Sequence, residues 1–481
     1  MLACALLSCV QAEVRDHEVR FVVRLSSPIS TQTAHRGDPV NAVVVSPAIE
    51  DGHVLVPRGS AIVGRIAMVH RVGAGFVHER AALKIDFQQW RSADGALHPL
   101  QAQLVEVDNA REQVNADGRI VGILAAGGPP GFLLGMWQRP TDELFFRTAI
   151  GLAGVTGFIG HCFDIDPIGM VGVTALRMAV VPGAEPEIWF PGGTDLILSL
   201  SDVPPGDHPA EAEPEPPSPE LQSWGESVPF QTTLKGIEKP DITNVVFLGS
   251  EKQVTGAFAA AGWSEPEPLT RQSAMRFYRA MSAQRGYATA PMATLLLDDR
   301  APDIEFEKSL NTVQRRHHLR VWQQGEYEGV EAWIGAGTHD TGVRLTSRGF
   351  THEIDAHVDG ERDWIVDDLE FAGCVEQAQF VERPNVAAPF GDRITDGRLA
   401  VLKLRDCKAA PVSDEPPQQS AEARLGRRLV LEARYAVLRG NVYYWGYRAC
   451  RHLWIREREL KEQQESGTVL AAVRQPAHSA Q

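Results

Sequence analysis

The sequence predicts a multidomain protein: an N-terminal all-β domain with a glycine-rich apolar insertion, then an α+β domain, then a basic amphipathic tail. Short segments rich in Val and Ile alternate with turn residues up to about residue 107, and a Pro/Glu-rich stretch follows residue 203. Helical and strand patterns then mix after residue 239. The chain has 481 residues, enough for roughly two to four folded units.

Composition excludes several classes of protein. Hydrophobic residues make up 43% and charged residues 23%, values that fit neither a wholly disordered chain nor a polytopic membrane protein. The formal charge of -15 repels phosphate backbones, so we expect no nucleic acid as main partner. The chain opens its second domain without a GxGxxG or Gly-Lys-Ser/Thr motif, so we expect no nucleotide either.

Residues 1–12, MLACALLSCVQA, are almost all apolar or small and resemble a secretory signal, although a positive n-region is missing. Acylation at Cys9 is an alternative. Export would allow Cys374 to pair with Cys407, but without a CxxC motif we favour isolated buried thiols.

The β domain is predicted over residues 13–202, as a small barrel or sandwich. A turn motif containing Pro and Gly occurs twice in this domain, as VPRGS at 56–60 and as FPGGT at 190–194. Each copy lies just before a predicted strand, and the motif resembles turns in envelope β domains. The insertion, residues 120–182, has glycine at every third position from Gly151 to Gly160. We favour a buried or mobile insertion, and a membrane-inserted hairpin is the alternative.

Residues 203–238 are predicted to be a linker and residues 239–407 an α+β domain. A capping box of Ser250 and Gln253 begins a helix that ends at Gly262. A second helix is predicted near 271–283. Strands are predicted at 241–249, 293–297, 304–309, 316–323 and 330–335.

Histidine is concentrated in this domain. Five of the 15 histidines fall within 41 residues, among several Asp and Glu residues: His317, His318, His339, His352 and His357. Strand alternation puts His318 and Arg320 on one face and His317 on an apolar face. A helical arrangement of 352–363 would align His352, Asp355 and Asp359, although Gly360 weakens it.

This mixture of imidazole and carboxylate suits a transition metal or general acid-base chemistry. The candidate catalytic residues are His318, Asp340, His352 and Asp355. The candidate ligands of a divalent metal are His318, His352, Asp355 and Asp359. The candidate residues for binding an anionic substrate are Arg316, Arg320 and Arg362. A structural network of ion pairs and a solvated surface remain as alternatives.

Several motifs of this region resemble the LssY C-terminal domain of bacteria. They are NVVFLG from Asn244, AGW from Ala261, RHHLRVW from Arg316, WIGA from Trp333, THxID from Thr351, DxERD from Asp359 and TDGR from Thr395. The resemblance implies an envelope setting, although the membrane modules that often accompany the domain are not found in this chain. It also makes His317 part of the family's signature, against the strand-face argument.

The end of the chain is predicted to hold a linker at 408–423, a basic aromatic amphipathic tail at 424–462 and disorder at 463–481. The tail would lie on an anionic membrane surface or pack as a helix on the second domain. We therefore expect a periplasmic or membrane-associated protein of the bacterial envelope. A binding or scaffold role through the LssY-like domain is favoured, and a metal-dependent or acid-base hydrolase of a phosphoester is the alternative.

Overall fold

The computed structural model describes residues 19–72, 80–123, 185–200, 209–210, 215–233, 241–282, 285–346, 349–386 and 393–407, with 426 and 430. The signal segment, the second linker and the disordered end predicted from the sequence lie outside these residues. So do all but residues 120–123 of the insertion and all but two residues of the basic tail. Among the described residues, no helix is both long and apolar enough to cross a membrane. The described residues up to 407 belong to one compact unit.

The N-terminal part is built of antiparallel strands whose apolar side chains alternate inward. In chain order they are β1 (Val19–Leu25), β2 (Ile29–Ser30), β3 (Pro39–Ser46), β4 (Ala48–Glu50), β5 (His53–Val56), β6 (Ala61–His70), β7 (Ala82–Arg91), β8 (Leu97–Val107), β9 (Gln113–Val114), β10 (Arg119–Val121), β11 (Trp189–Phe190) and β12 (Asp195–Leu200). Six of them pair in the order β6-β3-β1-β12-β8-β7, and β7 pairs back with β6. This closing pair makes a barrel.

Several turns in the barrel depend on glycines in the left-handed region of the backbone. Gly37, Gly52 and Gly95 have positive φ, as do Gly59 and Gly193 in the repeated turn motif. One residue separates each of these last two glycines from the strand that follows, β6 or β12, so each copy of the turn motif leads into a barrel strand.

The second domain is a mixed sheet with helices. Its strands are β13 (Val245–Leu248), β14 (Ile304–Lys308), β15 (Arg316–Tyr327), β16 (Val330–Thr346), β17 (Gly349–Ile354), β18 (Val375–Val381) and β19 (Leu399–Leu404). Its helices are α1 (Pro219–Ser227), α2 (Glu251–Ala260), α3 (Arg271–Ser282) and α4 (Val358–Phe371). The strand order is β14-β15-β16-β13-β19-β18, with β17 on β16 and with β13 parallel to β19.

Both faces of this sheet are covered, which explains why β13 is buried along its whole length. Apolar residues of α2 and α4 pack on one face, around Phe247, Leu319 and Leu402. Leu221 of α1 packs on the other face, with Val246 and Trp322 among its neighbours. The α+β architecture is as predicted.

Three local expectations need correction. Residues 219–227, which we expected within a linker, form α1, because Ser218 caps the helix and Leu221 is buried against the sheet. Residues 293–297 make only isolated bridges, at Leu296 and Leu297, in place of a strand. Cys374 and Cys407 form a disulfide, with Cα atoms 4.9 Å apart, where we expected isolated thiols.

Candidate functional site

The first polar cluster lies where the barrel meets the second domain, and His317 is at its centre. Nδ1 of His317 lies 2.6 Å from Oε2 of Glu361 on α4, and its Nε2 lies 2.9 Å from Oδ2 of Asp108, just after β8. Burial alone would lower the pKa of His317, but the two carboxylates outweigh it and raise the pKa to about 10. Burial would likewise raise the pKa of Asp108, and the charge of His317 lowers it to about 2. His317 is therefore a buried imidazolium between two carboxylates.

The imidazolium is also enclosed by aromatic rings. Trp364 stacks on one side of His317 with centroids 3.8 Å apart, and His339 stacks on the other at 4.4 Å. Burial lowers the pKa of His339 to about 4, helped by the positive charge of His317. His339 is thus neutral at pH 7, and its Nε2 lies 3.3 Å from Oδ1 of Asn109 in the barrel.

A second set of buried charges extends the junction. Arg24 of β1 donates to both oxygens of Asp195, at 2.7 Å each, and to Asp368 on α4 at 2.8 Å. Lys308 of β14 donates to Asp368 at 3.0 Å, and so does the indole of Trp263 at 2.8 Å. One carboxylate of the second domain is therefore shared between cations of both domains.

Further polar contacts surround these pairs. Arg58 of the barrel pairs with Asp367 and Glu370 on α4, and Ser46 donates to Asp367 at 2.5 Å. Away from α4, Asn311 of the second domain donates to Glu112 of the barrel at 2.7 Å. The junction is therefore polar along its length and fixes α4 against the barrel.

The opposite face of β15 and β16 carries a different group, made of His318, Asp340 and His352. Nδ1 of His318 lies 3.5 Å from Oδ2 of Asp340, and Nδ1 of His352 lies 2.9 Å from the same oxygen. Within the described residues, Oδ2 of Asp340, Nδ1 of His352 and Nε2 of His318 have no partner in hydrogen-bonding geometry. Asp340 is 2% exposed and His318 6%, whereas His352 is 31% exposed, so the group opens to solvent at His352.

Charged side chains surround this group. Arg316 donates to Oε2 of Glu307 at 2.7 Å, and the same oxygen lies 4.0 Å from Nε2 of His318. Burial raises the pKa of Glu307 to about 8 and lowers that of His318 well below its usual range. Burial also opposes ionisation of Asp340, but His318 and His352 hold its pKa below the usual range. Arg320 lies 3.7 Å from Asp241 and donates to the carbonyl of Ala293 at 3.0 Å.

The other candidates from the sequence lie elsewhere. Asp355 accepts from the backbone N–H of His357 at 2.9 Å, in the turn before α4. Asp359 accepts from the Thr395 hydroxyl at 2.8 Å and from the backbone N–H of Asp396 at 2.6 Å. Both residues therefore have structural partners within the domain, and the loop before β19 is tied to α4.

Arg362 is fully buried on α4 and donates to Asp396 at 2.7 Å and Asp363 at 2.8 Å. The expected helical face running from His352 to Asp363 is wrong, because His352 belongs to β17 and α4 begins only at Val358. The structure thus brings together His318, Asp340 and His352, with Arg316 adjacent, and separates Asp359 and Arg362 from them.

A metal at the junction is disfavoured by ring geometry. Asp108, His317 and His339 each offer one donor atom within 4.8 Å of the others. However, the two imidazoles stack with only 18° between their planes. A zinc ion binds in the plane of each imidazole at roughly 2.0–2.1 Å, and nearly parallel stacked planes do not share such a point. This group is therefore an ion pair with a stacked neutral histidine.

Sequence reasoning missed the partners that decide what these histidines do. Asp108 is 209 residues from His317 along the chain, and Glu361 is 44 residues away. Asp368 and Arg24 are 344 residues apart. The one available signal was a polar residue at an otherwise apolar strand position, which identifies His317 but not its partners.

These features define a class: a small antiparallel β-barrel joined by buried ion pairs to a mixed α/β domain. Residues 226–399 match the family model described as LssY C-terminus, which confirms the resemblance seen in the motifs. The chain matches no curated protein. A solved structure that matches in part is ComB10 of the Com type IV secretion system of Helicobacter pylori, at 14% identity. It covers 38% of this chain and 85% of that chain with a TM-score of 0.20, and we draw no conclusion from it.

Proposed function

We propose that this protein is a binding or scaffold component of the bacterial cell envelope, in which the barrel and the LssY-like domain work as one body. The observation that carries the proposal is the junction, where His317 and Asp368 are each held by charged groups of both domains. Breaking such buried pairs is costly, so the relative placement of the two domains is fixed. A fixed placement suits a part that presents surfaces to partners.

The envelope setting is supported by the resemblance to the LssY C-terminal domain and by the disulfide. Cys374, which directly precedes β18, is bonded to Cys407, three residues after the end of β19. Disulfides persist in oxidising compartments and are rare in the bacterial cytoplasm. This agrees with the secretory signal predicted at residues 1–12.

The candidate anion-binding residues are buried and already paired, which favours a scaffold role over phosphoester hydrolysis. Arg316 and Arg362 are almost fully buried, and their guanidinium groups pair with Glu307 and Asp396. Arg320 is 5% exposed and lies near Asp241 and Glu305. Guanidinium groups engaged in this way are poorly placed to hold an incoming phosphate.

The compartment can be tested in the bacterium that encodes the protein. Cells are quenched with an alkylating agent, and the tagged full chain is separated without reductant. An oxidised Cys374–Cys407 pair together with recovery in the envelope fraction is the expected result. A reduced pair and recovery in the cytoplasm would overturn the envelope setting.

The scaffold role can be separated from an enzymatic one by complementing a deletion strain. We expect His352→Ala to restore the wild-type phenotype, because a scaffold does not depend on a titratable group at the mouth of a site. Lys308→Met, which removes a cation from the junction, should fail to restore it. The reverse pattern, with both variants folded, would favour the hydrolase.

A further inference from the structure

We infer that α3 and the turn before it lie on the surface of an anionic phospholipid bilayer, with Leu269 and Met275 inserted at the boundary of the acyl chains and the arginines of the helix at the headgroups. The inference rests on the proposed envelope setting, which brings the chain within reach of such a surface. It goes beyond the scaffold role, because it assigns a lipid partner to one helix of the second domain.

The first argument is the exposure of two large apolar side chains that are close together in the chain. Leu269 is 75% exposed and Met275 is 51% exposed, and Leu269 is the most exposed large hydrophobic residue among those that the structure describes. A single exposed apolar side chain is ordinary on a soluble surface. Two of them within seven residues, at one end of a helix, form a patch, and patches of this kind mark contact surfaces.

The second argument is that the backbone holds Leu269 in this exposed position. The N–H of Thr270 donates to Oγ of Ser273 at 2.8 Å, and the N–H of Ser273 donates to Oγ1 of Thr270 at 3.1 Å, which caps α3. Oγ of Ser273 also lies 2.8 Å from the carbonyl of Pro268 and fixes the turn. An apolar residue just before such a cap usually packs on the fourth helical residue. Here that residue is Ala274, which is exposed and too short to cover Leu269.

The third argument is the division of α3 into two sides. Ser273 and Ala280 are buried, and Phe277 packs with Ala280 in a small apolar cluster of the second domain. Arg271 and Met275 are one turn apart on the other side of the helix, and both are exposed. A helix that packs by one side and carries arginine and a large apolar residue on the other has the character of helices that lie in a membrane interface.

The fourth argument is the sign of the charge. Residues 269–282 include three arginines and no acidic residue, although the whole chain carries a formal charge of -15. Glu267, just before this stretch, pairs with Arg276 and accepts from the hydroxyl of Thr289 at 3.0 Å. The stretch is therefore basic on an acidic protein, which suits anionic lipid headgroups. The apolar side chains favour a bilayer over an acidic protein surface, because arginine can stay at the headgroups while leucine and methionine enter the lipid.

The test measures binding of the purified full chain to vesicles by co-sedimentation. One set of vesicles contains phosphatidylethanolamine and phosphatidylglycerol, and the other contains phosphatidylcholine alone. We expect binding to the anionic vesicles, much weaker binding to the neutral ones, and a loss of binding as NaCl rises from about 0.1 to 0.5 M, because salt screens exposed charges. Leu269→Ser and Met275→Ser should each weaken binding by about tenfold, since burial of a large apolar side chain is worth at least that factor. Arg271→Gln should weaken it by about fivefold.

Leu97→Ser is the matched control, because Leu97 lies on β8 of the barrel and is 52% exposed. This variant should bind as the wild type does. All the substituted side chains are exposed, so the variants should fold, as circular dichroism can show. Wild-type binding by Leu269→Ser and Met275→Ser would assign the lipid affinity to another part of the chain and overturn the inference. A wild type that does not bind anionic vesicles would overturn it too. Neither result alters the fractionation test, so the envelope setting fails or holds separately.

Discussion

Asp108, at the end of a barrel strand, lies 2.9 Å from Nε2 of His317 in the second domain. The other ring nitrogen of His317 is already paired with Glu361 of its own domain. The second domain alone gives His317 one carboxylate partner, Glu361. The barrel supplies the second, Asp108, and so completes the triad. Stability of the whole chain should depend on this contact.

Asp108→Asn keeps the shape of the side chain and removes its charge. We expect the free energy of unfolding to fall by about 3 kcal/mol, the cost of breaking a buried ion pair. Guanidinium denaturation of the full chain, followed by tryptophan fluorescence, measures this. Asp117→Asn is the control, because Asp117 is half exposed and 3.6 Å from Arg119, and it should change stability by less than about 0.5 kcal/mol. Equal effects of the two substitutions would contradict the prediction.

The pH dependence of stability follows from His317 and Asp108. The folded pKa of His317 is raised to about 10, so its contribution is complete below about pH 6.5 and is lost as pH rises from there to about 10. The pKa of Asp108 is lowered to about 2, so its contribution is lost as pH falls from about 3.8 to 2.

His339, with a folded pKa of about 4, adds a loss of stability as pH falls from about 6.5 to 4. For these three groups the summed contribution to stability is greatest near pH 6.5, whereas Glu307, whose pKa burial raises to about 8, subtracts stability as pH rises from about 4.5 to 8. Denaturation across pH 3 to 10 measures the profile, and His317→Asn should flatten its alkaline side. A wild-type profile that does not fall between pH 7 and 10 would contradict the assignment of a charged His317.

The disulfide should stabilise the second domain. It closes a loop with a sequence separation of 33, and the loss of loop entropy from the unfolded chain corresponds to about 3–4 kcal/mol. Replacing both Cys374 and Cys407 by serine should lower the free energy of unfolding by this amount. Reductant should lower the free energy of unfolding of the wild type by the same amount and should not change that of the double variant. A wild type insensitive to reductant would show that the bond does not contribute.

Two helical glycines should respond to alanine in opposite directions. A Cβ at Gly225 in α1 would lie 2.6 Å from Cγ1 of Val381, whereas one at Gly256 in α2 would meet nothing within 4 Å. Gly256→Ala should stabilise the protein by about 0.5–1 kcal/mol through helix propensity. Gly225→Ala should destabilise it, because α1 must move away from β18. Thermal unfolding of the two variants in parallel gives the comparison, and a stabilising Gly225→Ala would show that α1 is not docked as described.

The sequence by itself determined the features that depend on neighbouring residues. Period-two alternation located most of the barrel strands and the two faces of β15, with His317 and His318 on opposite sides. The capping box of Ser250 and Gln253 located the start of α2. Each of these depends on contacts within a few positions, so a local pattern is sufficient.

Only the tertiary structure decided which polar groups meet. His352 lies near Asp340 because β17 pairs with β16, whereas the sequence pattern had aligned His352 with Asp355 and Asp359 on one helical face. Asp108 and Arg24 reach the second domain only because the barrel packs on α4. Sheet register and domain packing set the pairing of residues that are tens or hundreds of positions apart, so this pairing cannot be predicted from a local sequence pattern. The sequence thus determined the elements and the candidate residues, and the packing decided that His317 is structural and that His318, Asp340 and His352 converge.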